Sequence, residues 1–223
     1  QAQSFTTGNG KIEIGLGIGP MFFLGDLGGS AGVGKTFVKD LDLPLTKLNK
    51  GLYVNYYPAE WFGLRLAGNL GYVSGDDAQA PSKGGAEMDR RERNLNFRSK
   101  ISEAYVAAEL YPTFFLEKYD GLLGKLRPYL LAGVGVYHFN PETKDVDGSW
   151  VKTAPLRLEG QGFAEYPDSK PYKLTQKNVL AGFGVKYYVK ENMYLGFEIL
   201  HRKLFTDYVD DVSNNYYIDP IYF

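Results

Sequence analysis

The sequence predicts an all-β protein: a small, antiparallel, up-and-down β-barrel of the membrane-spanning kind, with eight strands expected. Three observations lead there. Apolar residues alternate strictly with small or polar ones over stretches too long for ordinary soluble strands. The connections between these stretches alternate short and long. The composition is rich in glycine (27 of 223 residues), tyrosine (18) and phenylalanine (14), with only three Met, two His and no Cys. That balance suits strands rather than helices, and the length suits one domain spanning residues 1–223.

The first periodic stretch covers residues 11–23. Its even positions are Ile12, Ile14, Leu16, Ile18, Pro20 and Phe22, and its odd positions are Lys11, Glu13, Gly15, Gly17 and Gly19. Alternation over about a dozen residues signals a strand, and one of membrane-crossing length, since the mean soluble strand has only ~5–6 residues and a tilted membrane strand needs ~9–11. Residues 51–57 are less regular but must form a strand for the chain to reverse. The pattern then returns around 63–72, 103–110, 129–136, 178–187 and 194–200, making seven strands. Membrane barrels of bacteria have even strand numbers. The closing stretch contains Pro220, which demotes it as a strand, so the eighth is expected to be short or missing from this chain.

Short connections are expected near 58–61 and 189–193, a middling one over 112–126, and long polar loops over about 24–47, 76–96, 141–175 and 206–215. Short turns at one end and long loops at the other characterise outer-membrane barrels. Aromatics gather where strands end: Tyr56, Tyr57, Trp61, Phe62, Tyr111, Phe114, Phe115, Tyr187, Tyr188 and Tyr194 on the short-turn side, and Phe22, Phe23, Tyr137, Phe139 and Phe205 on the other. These read as two interfacial girdles. A soluble barrel also alternates, but its second face would be rich in Lys, Glu and Ser; here that face is mainly Gly, Ala and Tyr. The chain opens Gln-Ala-Gln without a basic or apolar leader, so a signal peptide is expected to have been removed already and the location to be the outer membrane.

If the apolar positions face lipid, the inward set includes Lys11, Glu13, Arg65, Glu103, Glu109, Lys186, Glu198 and Arg202, four acids and four bases. An eight-stranded barrel has room inside only for side chains, and charges there must pair. The expectation is a salt-bridge network that plugs the lumen, in preference to an ion or proton path. A net charge of -1 gives no basic footprint for nucleic acid. No metal or other cofactor is expected. Any hydrolase or metal site would have to use His138 or His201, and the acidic run Asp207, Asp210, Asp211 lacks the glycine and the order of a calcium loop. Gly15, Gly17 and Gly19 alternate within a strand rather than opening a helix, and Gly32-Val33-Gly34-Lys35-Thr36 lacks the leading glycine of a phosphate loop.

Five segments carry a resemblance: EIGLGIGPMFFLGDLGG (13–29), RERNLNFRSKISEAYVAAE (91–109), LRPYLLAGVGVYHFNP (126–141), EGQGFAEYPDSKPYKLTQ (159–176) and FEILHRKLFTDYVDDVSNNYYIDP (197–220). They resemble the Bacteroidetes outer-membrane β-barrel family that includes PorG of the type IX secretion system. The resemblance implies a single eight-stranded barrel without enzymatic activity, tying the outer membrane to a periplasmic ring that contains a lipoprotein. It also implies a last strand beyond the DDVS segment, and offers no catalytic residues.

The sequence-level expectation is therefore a non-enzymatic anchor or scaffold of an envelope complex. Its partners would be outer-membrane lipid and other envelope proteins, either that ring lipoprotein or another outer-membrane complex. The alternatives are a small porin-like or ligand-binding barrel and, after that, a lipid-modifying enzyme using His201. Arg98 and Arg202 are expected to donate to loop carboxylates such as Asp207 or Asp210, forming with Asp211 a loop cap shaped by Gly160, Gly162, Pro167 and Pro171. Phe114, Phe115, Tyr119 and Arg127 are expected to form a partner face on the periplasmic side.

Overall fold

A computed structural model of the chain describes residues 10–22, 47–79, 95–116, 125–190, 192–206, 208–211 and 218. Seven long strands and one short one form the fold: β1 (Lys11–Met21), β2 (Lys47–Ala59), β3 (Phe62–Asp76), β4 (Asn96–Leu110), β5 (Leu126–Lys144), β6 (Trp150–Lys152), β7 (Thr175–Lys190) and β8 (Met193–Leu204). Among the described residues there is no α-helix, only 3₁₀ turns at Asp77–Gln79, Pro112–Phe115 and Tyr208–Asp210. The long strands pair in chain order, β1-β2-β3-β4-β5-β7-β8, and β6 pairs with β5. Every pairing is antiparallel.

The sheet is curled into a half-barrel, because side chains from its first strands meet those of its last. Glu13 on β1 reaches Lys186 on β7, Tyr53 on β2 reaches Tyr194 on β8, and Arg65 on β3 reaches Glu198 on β8. A strictly antiparallel meander of seven strands has its two edge strands running the same way. Both β1 and β8 run from the short-turn end toward the long-connection end, and among the described residues they are not paired with each other.

The alternation read from the sequence sorts the side chains as expected. Ile12, Ile14, Leu16 and Ile18 lie on the convex face, with Leu16 83 % exposed, as do Leu66, Leu70, Phe183, Leu195 and Phe197. The concave face holds Glu13, Arg65, Glu103, Glu109 and Lys186, all buried. It is crowded: a Cβ on Gly184 would lie 2.5 Å from the Tyr129 ring, and one on Gly63 would lie 2.7 Å from the Tyr57 ring. Glycines on one strand thus make room for tyrosines on the next.

Two expectations about extent change. Residue 141 does not begin a loop, because β5 continues to Lys144 and carries β6 beside it. Polar contacts hold this extension where no apolar alternation marks it: Thr143 Oγ1 donates to the Asn96 carbonyl at 2.7 Å, and Asn96 Oδ1 accepts from the Lys144 amide at 3.0 Å. The girdle assignment also divides. Tyr56, Trp61, Phe114, Phe115, Tyr187, Phe22 and Phe205 are exposed, whereas Tyr57, Tyr111, Tyr188, Tyr137 and Phe139 are buried on the concave side, and Tyr194 lies among them. Their parity explains this: Tyr57 shares a face with Tyr53 and Asn55, and Tyr188 with Lys186. Phe23 lies outside the described residues.

Candidate functional site: the charged interior and its cap

All seven long strands contribute to a polar network along the concave face. At its centre, Lys186 Nζ lies 2.9 Å from Glu13 Oε2 and 3.3 Å from Glu109 Oε2, and it donates to the Tyr57 hydroxyl. Glu109 also pairs with Arg65 through Oε1, and Arg65 Nη1 continues to Glu198 Oε2 at 2.6 Å. Neutral donors complete the carboxylates. Asn55 Nδ2 donates to Glu109 at 3.1 Å, Tyr188 donates to Glu13 at 2.9 Å, and Tyr129 donates to Glu198 at 2.7 Å. The Arg65 guanidinium stacks 4.5 Å over the Tyr53 ring, and Lys11 stands 3.8 Å from Glu13. Closer to the long-connection end, Arg202 Nε donates to both oxygens of Glu103, at 2.8 and 2.9 Å, while Asn69 and Asn178 donate to the same carboxylate at 2.8 and 2.6 Å.

The eight charges read from the sequence are therefore together on one face, each within a salt bridge. What sequence reasoning missed is the neutral half of the network: Tyr53, Asn55, Tyr57, Asn69, Tyr111, Tyr129, Asn178 and Tyr188. Strand parity was the available signal. Leu131, Leu180 and Leu200 fill the spaces between.

The expected cap differs in its anchors. Arg202 reaches into the interior to Glu103, because its inward parity on β8 aims it down the concave face. Arg98 is on the opposite face, where it donates to Glu142 at 2.7 Å and lies 4.2 Å over the Trp150 ring. Asp210 and Asp211 are buried near the long-connection end, while Asp207 lies outside the described residues. An apolar cluster of Val73, Phe97, Tyr137, Phe139 and Val209 closes that end, joined by Met21 of β1 and Leu204 of β8. Tyr172 stacks between Phe139 and Tyr208, at 6.0 and 4.4 Å between ring centroids. The segment before it is a chain of tight turns, with Gly160 N–H to the Arg157 carbonyl, Phe163 to Gly160, Tyr166 to Phe163 and Ser169 to Tyr166. Gly160 and Gly162 supply the positive φ values of 72° and 83° that these turns require.

Asp211 sits at the heart of this cap, in the left-handed region with φ 65°, a conformation aspartate tolerates better than most residues. Tyr172 donates to its Oδ1, while its Oδ2 is buried without a hydrogen-bond partner. Burial pushes the Asp211 carboxyl up to about 6, and the nearby Glu159 charge adds to the rise.

Of the expected partner face, Phe114 and Phe115 project from the Pro112–Phe115 turn and pack edge to face at 5.4 Å, with Trp61 6.0 Å from Phe115. Arg127 departs from that face. Its odd parity on β5, beside Lys186 on β7, places it with Tyr129 and Leu131 on the concave side. Tyr119 lies outside the described residues. His201 is exposed on the convex face, and the ring Nδ1 of His138, also exposed, lies 3.0 Å from Thr175 Oγ1. Among the described residues no group of three or more His, Asp or Glu side chains is placed to hold a metal ion. No family model, curated protein or solved structure matches the chain.

Two outcomes follow from this geometry. Lys186→Met leaves Glu13 and Glu109 short of a buried cation and should cost ~3–5 kcal/mol. Equilibrium unfolding in detergent reads this loss, and parental stability in the variant would mean the network is not structural. Asp211 is held protonated more tightly in the folded chain than its ordinary 3.8, so the folded state binds the extra proton. Its contribution is complete below pH ~4 and is lost as pH rises through about 6. Amide exchange over 153–174, corrected for intrinsic pH dependence, should therefore speed up across that window, and Asp211→Asn should flatten the response. A flat profile in the parent would contradict the assignment.

Proposed function

We propose that this chain is a non-enzymatic outer-membrane barrel that serves as an anchor or scaffold subunit of an envelope complex. The observation that carries the reading is the inversion of polarity across one sheet. The convex face is apolar over most of its height and exposed, while the concave face buries a charge-balanced network. Such an arrangement fits a hydrocarbon surround and a filled interior. Since β1 and β8 run in the same direction, closure as an all-antiparallel barrel takes one further descending strand between them, which matches the even strand number expected. In hydrocarbon, unpaired edge amides and carbonyls each cost several kcal/mol.

A plugged interior favours scaffolding over conduction. Arg65, Lys186 and Glu109 occupy the centre of the concave face, with tyrosine rings stacked around them. The family resemblance extends this reading to a PorG-like role in type IX protein secretion, with a periplasmic ring lipoprotein as the partner. The exposed Phe114, Phe115 and Trp61 at the short-turn end offer the surface for such contact.

The proposal predicts that the purified protein in planar bilayers shows no steady single-channel conductance. It also predicts that extraction in mild detergent recovers the protein with a periplasmic lipoprotein at fixed stoichiometry. Steady conductance would refute the plugged interior, and recovery of the protein alone would refute the scaffold role.

A further inference from the structure

The convex face changes character at one end only. From the short-turn end upward, its strand positions are apolar, aromatic, glycine or proline: Ile12 to Ile18 on β1, Leu52 to Tyr56 on β2, Leu64 to Tyr72 on β3, Ala104 to Leu110 on β4, Leu130 to Val136 on β5, Val179 to Tyr187 on β7, and Leu195 to Ile199 on β8. Beyond that band on their own strands come bases, Lys100 on β4, Lys177 on β7 and Lys203 on β8, with His138 on β5, while Lys50 on β2 lies between Ile18 and Leu70. Lys203 pairs with Val179, two residues from Lys177 on the same face, which makes the two lysines diagonal neighbours ~7–8 Å apart at their backbones. All four lysines are exposed, and none forms an ion pair among the described residues. The acids on this part of the face are engaged elsewhere: Glu142 holds Arg98, and Asp76 Oδ1 accepts the Ala78 amide at 3.0 Å.

Like charges placed side by side repel, and among the described residues no acid forms an ion pair with these lysines. Lysines at the rim of an apolar band lay their stems on it and lift their ammonium groups to headgroup level. We propose that this belt, chiefly Lys100, Lys177 and Lys203, binds the phosphate groups of anionic lipid in the leaflet next to the long loops. The inference rests on the membrane reading above and adds a lipid class and a side. Among the described residues, the short-turn end of the same face, with Tyr56, Leu110 and Leu195, carries no such belt. A lipid, rather than free phosphate, is the fitting occupant because the apolar band lies directly beneath the charges.

Spin-labelled lipid tests this. The full chain is reconstituted in phosphatidylcholine vesicles carrying a trace of spin-labelled phosphatidylcholine or spin-labelled phosphatidic acid, and the motionally restricted fraction is measured. Phosphatidic acid should associate about fivefold more strongly. The preference should shrink at high salt and in the Lys100→Gln, Lys177→Gln, Lys203→Gln triple variant, and should survive inorganic phosphate at constant ionic strength. Equal restriction of the two lipids, or an unchanged preference in the variant, would overturn the belt alone. Abolition by inorganic phosphate would overturn the lipid as occupant. No restricted phosphatidylcholine at all would refute the membrane reading, and the belt with it.

Discussion

Lys186 held between Glu13 and Glu109 is the interaction on which the rest of the structure depends. Burying an unpaired charge costs several kcal/mol, so these three side chains must meet, yet they come from β7, β1 and β4. They can meet only if the sheet curls. Arg65 extends the same requirement to β3 and β8 through Glu109 and Glu198. Once the charged parity is committed to the concave side, the period of two forces every apolar neighbour outward. The exposed isoleucines of β1 and the buried glutamate between them are thus two consequences of one constraint.

The chain satisfies that constraint with neutral partners as much as with charge. The four carboxylates of the concave network each accept from a tyrosine or an asparagine as well as from a cation: Glu13 from Tyr188, Glu109 from Asn55 and Tyr111, Glu103 from Asn69 and Asn178, and Glu198 from Tyr129. A network bonded this densely holds one arrangement, because a shift of register would strand many polar groups at once. The tyrosines also bring bulk, and the facing glycines admit it. The cap closes the long-connection end by a different principle, stacking Phe139, Tyr172 and Tyr208 over an apolar floor, with the buried Asp211 bonded to Tyr172.

How much of this could be read beforehand follows from the period. The seven long strands, their antiparallel sense and the face taken by all eight charges were legible because alternation fixes which face a residue takes, whereas β6 lies in a stretch expected to be loop. The same rule already held the answer for Tyr57 and Tyr188, but their position at strand ends suggested a girdle instead. Arg98 and Arg202 show the limit of proximity in sequence: both lie near loop acids along the chain, while parity sends one to the convex face and the other into the interior. The cap was the least legible part. Its turns follow no period, so nothing in the sequence marked Glu159, Gln161 or Asp77 as buried. The β5 extension was hidden for a related reason, being held by side-chain-to-backbone bonds rather than by an apolar face.

The central claim is that the convex face meets lipid while the concave face does not. The chain has no cysteine, so single cysteines introduced along β1 at positions 14 and 16–19, where added side chains at Gly17 and Gly19 meet open space, can each carry a spin label without competition. In reconstituted vesicles, collision with oxygen and with a water-soluble nickel complex reports lipid and water exposure in turn. The account predicts a strict period of two, with oxygen access high at positions 14, 16 and 18 and low at 17 and 19, and with the nickel complex excluded from the even positions. Even positions open to the nickel complex, or a profile without that period, would contradict it.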